Sequence, residues 1–224
     1  MKHTQIFIFL FLVNWSLFAQ NISKDVGNFH TVKVFDLIAV TLEKADENRI
    51  EINGPQSESV KIINADGILK IRMKLKDRFD GKQTRIKLFY TALNVVDANE
   101  GTTITFNQEV TQNELELKAQ EGGFISASVA LTRLKAKAVT GGHIQLTGTT
   151  QVQEVKLNTG GIFNGEHHIT NSTDLTITAG GIARVHAKEN IDLQITAGGD
   201  VYIFGNPKQI DRSQFIGGRV KVEN

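Results

Sequence analysis

A pair of adjacent glycines recurs six times in the second half of this chain, at Gly122-Gly123, Gly141-Gly142, Gly160-Gly161, Gly180-Gly181, Gly198-Gly199 and Gly217-Gly218. The steps between pairs are 19, 19, 20, 18 and 19 residues. A fixed period in this range marks stacked architectures, in which each unit closes its core only against its neighbours. The flanks repeat as well. Asp174-Leu-Thr-Ile-Thr-Ala-Gly-Gly181 and Asp192-Leu-Gln-Ile-Thr-Ala-Gly-Gly199 are nearly identical, and Glu154-Val-Lys-Leu-Asn-Thr-Gly-Gly161 and Lys135-Ala-Lys-Ala-Val-Thr-Gly-Gly142 are looser copies.

Counting outward from each pair gives columns of one character. Two residues after the second glycine stand Ile125, Ile144, Phe163, Ala183, Val201 and Val220. Five before the first glycine stand Leu117, Ala136, Val155, Leu175 and Leu193, and three before it Ala119, Ala138, Leu157, Ile177 and Ile195. The columns between are mostly polar. Strand side chains alternate faces, so each unit is two strands with apolar residues pointing inward, joined at the glycines. Stacked at ~4.8 Å, the units predict a right-handed, β-helix-like solenoid of about six coils over residues 109–224. The glycines are structural in this account. A tight corner in every coil needs positive φ or close backbone approach, and a β-branched residue at Gly180 or Gly198 should cost about 1–3 kcal/mol. No helix is predicted behind them, so they are not phosphate cradles.

Residues 20–108 read as a separate β region that caps the solenoid, the two halves making one continuous unit. Ile38, Val40 and Leu42 alternate with polar neighbours, Ile50 and Ile52 precede Gly54-Pro55, and Val60 and Ile62 lead into the hairpin signal Asn64-Ala-Asp-Gly67. Leu69, Ile71, Met73 and Leu75 are expected on one face with Lys70, Arg72, Lys74 and Lys76 on the other, and Ile86, Leu88 and Tyr90 form a further strand. The basic stretch from Lys61 to Lys87 could face an anionic polymer or lipopolysaccharide, and its plainer reading is a solvated outer face that discourages edge pairing. The all-β class follows from both halves. A cap is needed because an open coil end leaves strand edges unpaired, and Arg219 and Lys221 are placed to blunt the far edge.

Residues 1–19 read as a secretory signal peptide: a short polar start, the apolar run Ile6 to Val13, and a cleavage point after Ala19; an uncleaved anchor is the alternative. No later stretch approaches the ~20 apolar residues of a spanning helix. The chain has no cysteine, hence no disulfide, thiol nucleophile or lipid-accepting thiol. A net charge of +1 gives no global pull towards nucleic acid. The expectation is an exported protein of the periplasm or outer cell surface, with no membrane span once the signal is removed.

The outward columns hold the candidate chemistry. Six residues before each pair lie Glu116, Lys135, Glu154, Asp174, Asp192 and Asp211, which makes an acidic ladder of Glu154, Asp174, Asp192 and Asp211. It could bind a cation, since hard cations take several oxygen ligands, or offer a carboxylate pair for sugar hydrolysis. The plainer reading is that each acid bonds backbone N–H groups at the turn entering a strand. Lys118, Lys137 and Lys156 form a short basic ladder that could pair with these acids. His143, His167, His168 and His186 stand at different offsets, and the neighbours His167 and His168 should point to opposite faces. No Ser-His-Asp or His-Glu-x-x-His pattern occurs, and the even spacing leaves no insertion to build a cleft. No catalytic, cofactor or metal residue is therefore expected.

In its order of motifs the chain resembles the bacterial family called putative auto-transporter adhesin, head GIN domain. The resemblance is carried by Phe29-His-Thr-Val-Lys-Val34, Ile38-Ala-Val-Thr-Leu42, Asp66-Gly-Ile-Leu-Lys-Ile71, the glycine-marked repeats, and Gly205-Asn-Pro207 before a last repeat. Two features depart from it: Ala-Gly-Gly or Thr-Gly-Gly corners, and Phe35-Asp36-Leu37 where small residues are expected. The resemblance implies an exported β-solenoid of Bacteroidetes-like bacteria with an adhesin role and no catalytic residues. The first expectation is a non-enzymatic envelope protein that contacts a glycan or protein through outward residues such as Arg184, Tyr202 and Lys221. The alternative is a self-assembling structural protein that forms homo-oligomers end to end. A carbohydrate-active enzyme is the third.

Overall fold

The computed structural model describes residues 22–223, so the expected signal segment lies outside the described residues. Nine short strands come first: β1 (Ile22–Asp25), β2 (Thr31–Val34), β3 (Ala39–Lys44), β4 (Arg49–Asn53), β5 (Val60–Ala65), β6 (Ile68–Met73), β7 (Arg85–Tyr90), β8 (Val95–Ala98) and β9 (Thr103–Phe106). Five long strands follow: β10 (Val110–Gln120), β11 (Phe124–Val139), β12 (His143–Asn158), β13 (Gly161–Ala179) and β14 (Gly181–Ala197). The last three are β15 (Asp200–Phe204), β16 (Gln209–Ile216) and β17 (Arg219–Val222).

The strands join into one sheet that coils on itself. Each of β11 to β14 leaves one corner, bends midway and ends at the next. The bend is visible in burial: Thr132 and Arg133 are both exposed, so Leu131 and Leu134 both point inward across it. Parallel pairing stacks successive turns: β10 lies on β8, β11 on β9 and β10, then β12 on β11, β13 on β12, β14 on β13, β15 and β16 on β14, and β17 on β15. That is about seven turns, one more than the glycine pairs mark, because the corner at Glu100-Gly101 carries a single glycine.

The apolar columns fill the interior. Ile125, Ile144, Phe163, Ala183 and Val201 are buried on one side, and Leu117, Ala136, Val155, Leu175 and Leu193 on the other. The N-terminal strands enter the same stack out of sequence order. The β2–β3 layer lies between β8–β9 on one side and β6–β7 on the other, parallel to both. Antiparallel strands then close the end: β5 on β6, β4 on β7, and β1 on β4. The expected hairpin sits at Asp66-Gly67, both with positive φ, between β5 and β6. One local expectation fails. Leu75 leaves the strand pattern, because β6 ends at Met73 and a single 3₁₀ turn, Leu75–Asp77, carries its side chain into solvent at 83% exposure.

The corners are of two kinds. From Glu121-Gly122 to Thr159-Gly160 the left-handed pair is a non-glycine followed by the first glycine, as in Thr140 (φ 50°) and Gly141 (φ 72°). The second glycine there serves a different need: a Cβ on Gly142 would stand 2.0 Å from the Ala119 carbonyl oxygen of the layer below. In the last three corners both glycines carry the positive φ themselves, as at Gly180 (φ 62°) and Gly181 (φ 150°).

At the far end the inward columns turn polar. Arg212 and Gln214 occupy positions that are apolar in every earlier coil, and Arg212 Nε donates to Gln214 Oε1 at 2.9 Å. Arg219 and Lys221 pair with Asp200 and Glu223 on that edge. Phe215, 81% exposed, and Ile216, 61% exposed, remain uncovered there.

Candidate functional site

Parallel register turns each outward column into a ladder, so every coil presents one residue per column to two outer faces. On the face before the corners, Glu154, Asp174, Asp192 and Asp211 stack in register as the spacing predicts. Burial raises the Asp174 pKa from its ordinary value, and the neighbouring Asp192 and Glu154 charges add to this while Lys156 opposes it. Among the described residues no three His, Asp or Glu side chains converge as metal ligands would. In the next outward column Lys118, Lys137 and Lys156 are in register. Lys118 pairs with Glu116 at 3.0 Å and Lys156 with Glu154.

On the face after the corners, Arg184, Tyr202 and Lys221 occupy one ladder in three successive layers. The Arg184 guanidinium lies over the Tyr202 ring, 5.0 Å from its centroid. Arg184 and Tyr202 are half-buried and Lys221 is exposed. The neighbouring outward column holds Phe124, His143, Ile162 and Ile182, also half-buried. Phe124 and His143 meet edge to face at 5.0 Å. Burial lowers the His143 pKa, and the Arg184 charge lowers it further, so this imidazole is neutral near pH 7.

The histidines separate as strand alternation requires: His167 is exposed and His168 fully buried. Sequence reasoning missed what surrounds His168. Thr150, Gln153, Thr170 and Thr173 are buried with it in the interior of the middle coils. Thr150 Oγ1 lies 2.8 Å from His168 Nε2, Gln153 Nε2 donates to Thr173 Oγ1 at 2.8 Å, and Thr170 Oγ1 lies 2.9 Å from Thr173 Oγ1. Gln153 Oε1 and His168 Nδ1 have no hydrogen-bond partner among the described residues. Burial depresses the His168 pKa to about 4, with His186 contributing. A signal existed. The inward column Leu134, Gln153, Thr173, Ile191 is polar at two of its rungs.

Parallel ladder faces around a closed, mostly apolar interior define a β-solenoid protein. The chain belongs to the family described as putative auto-transporter adhesin, head GIN domain, which matches residues 28–207. That description is of an adhesin and names no enzymatic activity. The fold is that of a putative adhesin from Bacteroides fragilis, with a TM-score of 0.84 at 16% identity over 93% of this chain and 98% of that one. A putative lipid binding protein from Parabacteroides distasonis is similar at TM-score 0.69 and 14% identity, over 92% and 97% of the two chains. A putative adhesin from Parabacteroides merdae follows at 0.65 and 17%, over 92% and 96%. Among curated proteins no match was found.

Proposed function

We propose that the chain is an exported, non-enzymatic adhesin of the cell envelope that contacts a glycan or a protein through the face after the corners. The observation that carries this is the Arg184–Tyr202 stack, aligned with Lys221 and flanked by Ile182 and Asp200, with the Phe124–His143 pair further along the same face. Aromatic and arginine side chains supply most of the energy at binding surfaces. Here neighbouring rungs hold them in place, so little side-chain entropy is left to lose on binding. Arg184 over Tyr202 leaves donors and a ring edge at the surface, a pairing suited to sugar rings or to a protein's polar and aromatic groups.

Beads carrying the purified chain should be retained on a mucin-coated surface, and Tyr202→Ala should reduce retention by roughly tenfold. No retention of wild type, or equal retention of the variant, sinks the proposal. Protease shaving of intact cells locates the protein: digestion while a periplasmic control survives supports an adhesin, and full protection removes the adhesin role. A second reading, end-to-end self-assembly, is favoured by the uncovered Phe215 and Ile216 on the last coil. Length-distributed oligomers in light scattering would support it, and a single monomeric species would dismiss it.

A further inference from the structure

The segments Glu116-Leu-Lys118 and Glu154-Val-Lys156 each set an acid and a lysine side by side on the face before the corners, and each lysine pairs within its own coil. The coil between them reads Lys135-Ala-Lys137. Register places Lys135 between Glu116 and Glu154, an alternating column that cross-strand attraction favours. Lys137 has no such reason to be there. It stacks directly between Lys118 and Lys156, and like charges opposite one another on neighbouring strands destabilise a sheet. Among the described residues no carboxylate pairs with it.

Three solvent-open depressions meet at these lysines. One of 310 Å³ is lined by Glu116, Lys118, Lys135, Lys137, Glu154 and Lys156. It shares Glu116 and Lys135 with a depression of 660 Å³ beside residues 92–95. It shares Lys137 and Lys156 with another of 470 Å³, edged by Asn158, Thr159, Thr176 and Thr178. Together they make one trough that crosses several coils. With Lys44, Arg133 and Glu114 added by the largest depression, the lining holds six cations against three carboxylates.

We propose that this trough binds an extended anionic polysaccharide, whose carboxylate or sulfate groups are held by Lys137 and its neighbouring lysines. A trough spanning several rungs at ~4.8 Å spacing suits a linear polymer better than a single small anion. The Asn and Thr rim offers hydroxyl and amide partners for sugar hydroxyls, and a polyanion relieves the repulsion built into the Lys118–Lys137–Lys156 column. The inference rests on the chain being a binding protein, but it uses the opposite face from the Arg184–Tyr202 ladder.

The test is titration of the purified chain with heparin, polygalacturonate and neutral dextran at low and high salt. At least one polyanion binds, dextran does not, and affinity falls as salt rises. Lys137→Glu weakens polyanion binding at least about tenfold, the loss of one charge-assisted contact and its replacement by repulsion. The same substitution makes the column alternate in charge, so the melting temperature stays at or above that of wild type and misfolding is excluded as the cause. Tyr202→Ala leaves polyanion binding unchanged, which separates this site from the adhesin face. No binding to either polyanion at low salt overturns the proposal. So does an equal loss on Lys74→Glu, an exposed lysine outside the trough, because binding would then follow diffuse charge.

Discussion

The corner at Asp36-Leu37 and the glycine corners of the long coils do the same job with opposite chemistry. Asp36 and Leu37 have φ of 63° and 64°, the same left-handed pair that Thr140 and Gly141 form at 50° and 72°. Glycine adopts this conformation at little cost, whereas leucine at positive φ carries strain of about 1–2 kcal/mol. At the N-terminal corner the surroundings supply what the residue type does not. The Asp36 carboxylate is fully buried, accepts from the Met73 N–H at 3.0 Å and the Phe79 N–H at 3.4 Å, and lies 3.7 Å from both Arg72 and Arg78. It ties β6 and the following 3₁₀ segment over the corner of β2–β3. A repeated corner can rely on its own residues; a corner beneath the capping strands can be a lock for the cap.

Removing that lock should have the largest effect. Asp36→Ala leaves the Met73 and Phe79 backbone donors without their acceptor and takes one carboxylate from Arg72 and Arg78, of which Arg78 keeps Glu100 at 2.8 Å, a loss of roughly 2–4 kcal/mol. For a chain of this size that lowers the melting temperature by about 10 °C. Asp36→Asn keeps an acceptor and should fall between. Hydrogen exchange should show the loss concentrated in β5, β6 and residues 75–83 rather than in the coils. A change below about 1 kcal/mol would mean the corner holds itself, and the contrast would collapse.

The long coils have one buried ionisable group of their own, and it differs from Asp36 in lacking a full set of partners. His168 has a folded pKa of about 4, against about 6.5 unfolded, because burial disfavours the imidazolium. Between these values the unfolded chain binds a proton that the folded chain refuses. Stability is therefore complete above about pH 6.5 and falls as pH drops towards 4, by roughly 3 kcal/mol in all. Denaturant midpoints from pH 7 to 4 should show this decline, and His168→Gln should flatten it while lowering stability at pH 7. An unchanged slope in the variant would assign the decline to other groups.

Within the glycine corners the two members of a pair should separate cleanly. Gly142→Ala forces a Cβ to 2.0 Å from the Ala119 carbonyl oxygen, so neighbouring layers must part, at roughly 2–3 kcal/mol. Gly141→Ala meets nothing within 4 Å and loses only the backbone preference, about 1 kcal/mol. Equal losses in the two would show that conformational strain, not stacking distance, sets the glycine requirement.

The solenoid half was legible because the same three demands recur in every coil: an inward apolar pair, an outward polar pair and a corner. Repetition made weak signals add. The β2–β3 and β8–β9 layers were not read as layers because they mark their corners with Asp36-Leu37 and Glu100-Gly101, neither of them a glycine pair, and enter the stack out of order. Pairing between strands so distant in sequence leaves no local trace. The ladder of Arg184, Tyr202 and Lys221 followed from column counting alone, yet the stacking of Arg184 on Tyr202 depends on rotamers that no column encodes. Lys137 was visible as part of a basic ladder. Its lack of a partner required the positions of Glu116 and Glu154 around it.

The smallest expected effect tests the comparison from the other side. Thr140 is β-branched, exposed and left-handed, a combination that L-residues disfavour and that nothing around it relieves as Asp36 relieves Leu37. Asparagine visits this region readily, so Thr140→Asn should stabilise the chain by about 1 kcal/mol, a rise of about 3 °C in melting temperature. The backbone N–H of Thr140 already donates to the Asn158 carbonyl of the next layer at 3.2 Å, and asparagine keeps that bond. A gain would show that the coil corners still feel residue preference and that Leu37 needs the Asp36 network. No gain would mean that inter-layer hydrogen bonds dictate the corner whatever stands there, in which case the Asp36 lock serves the cap alone.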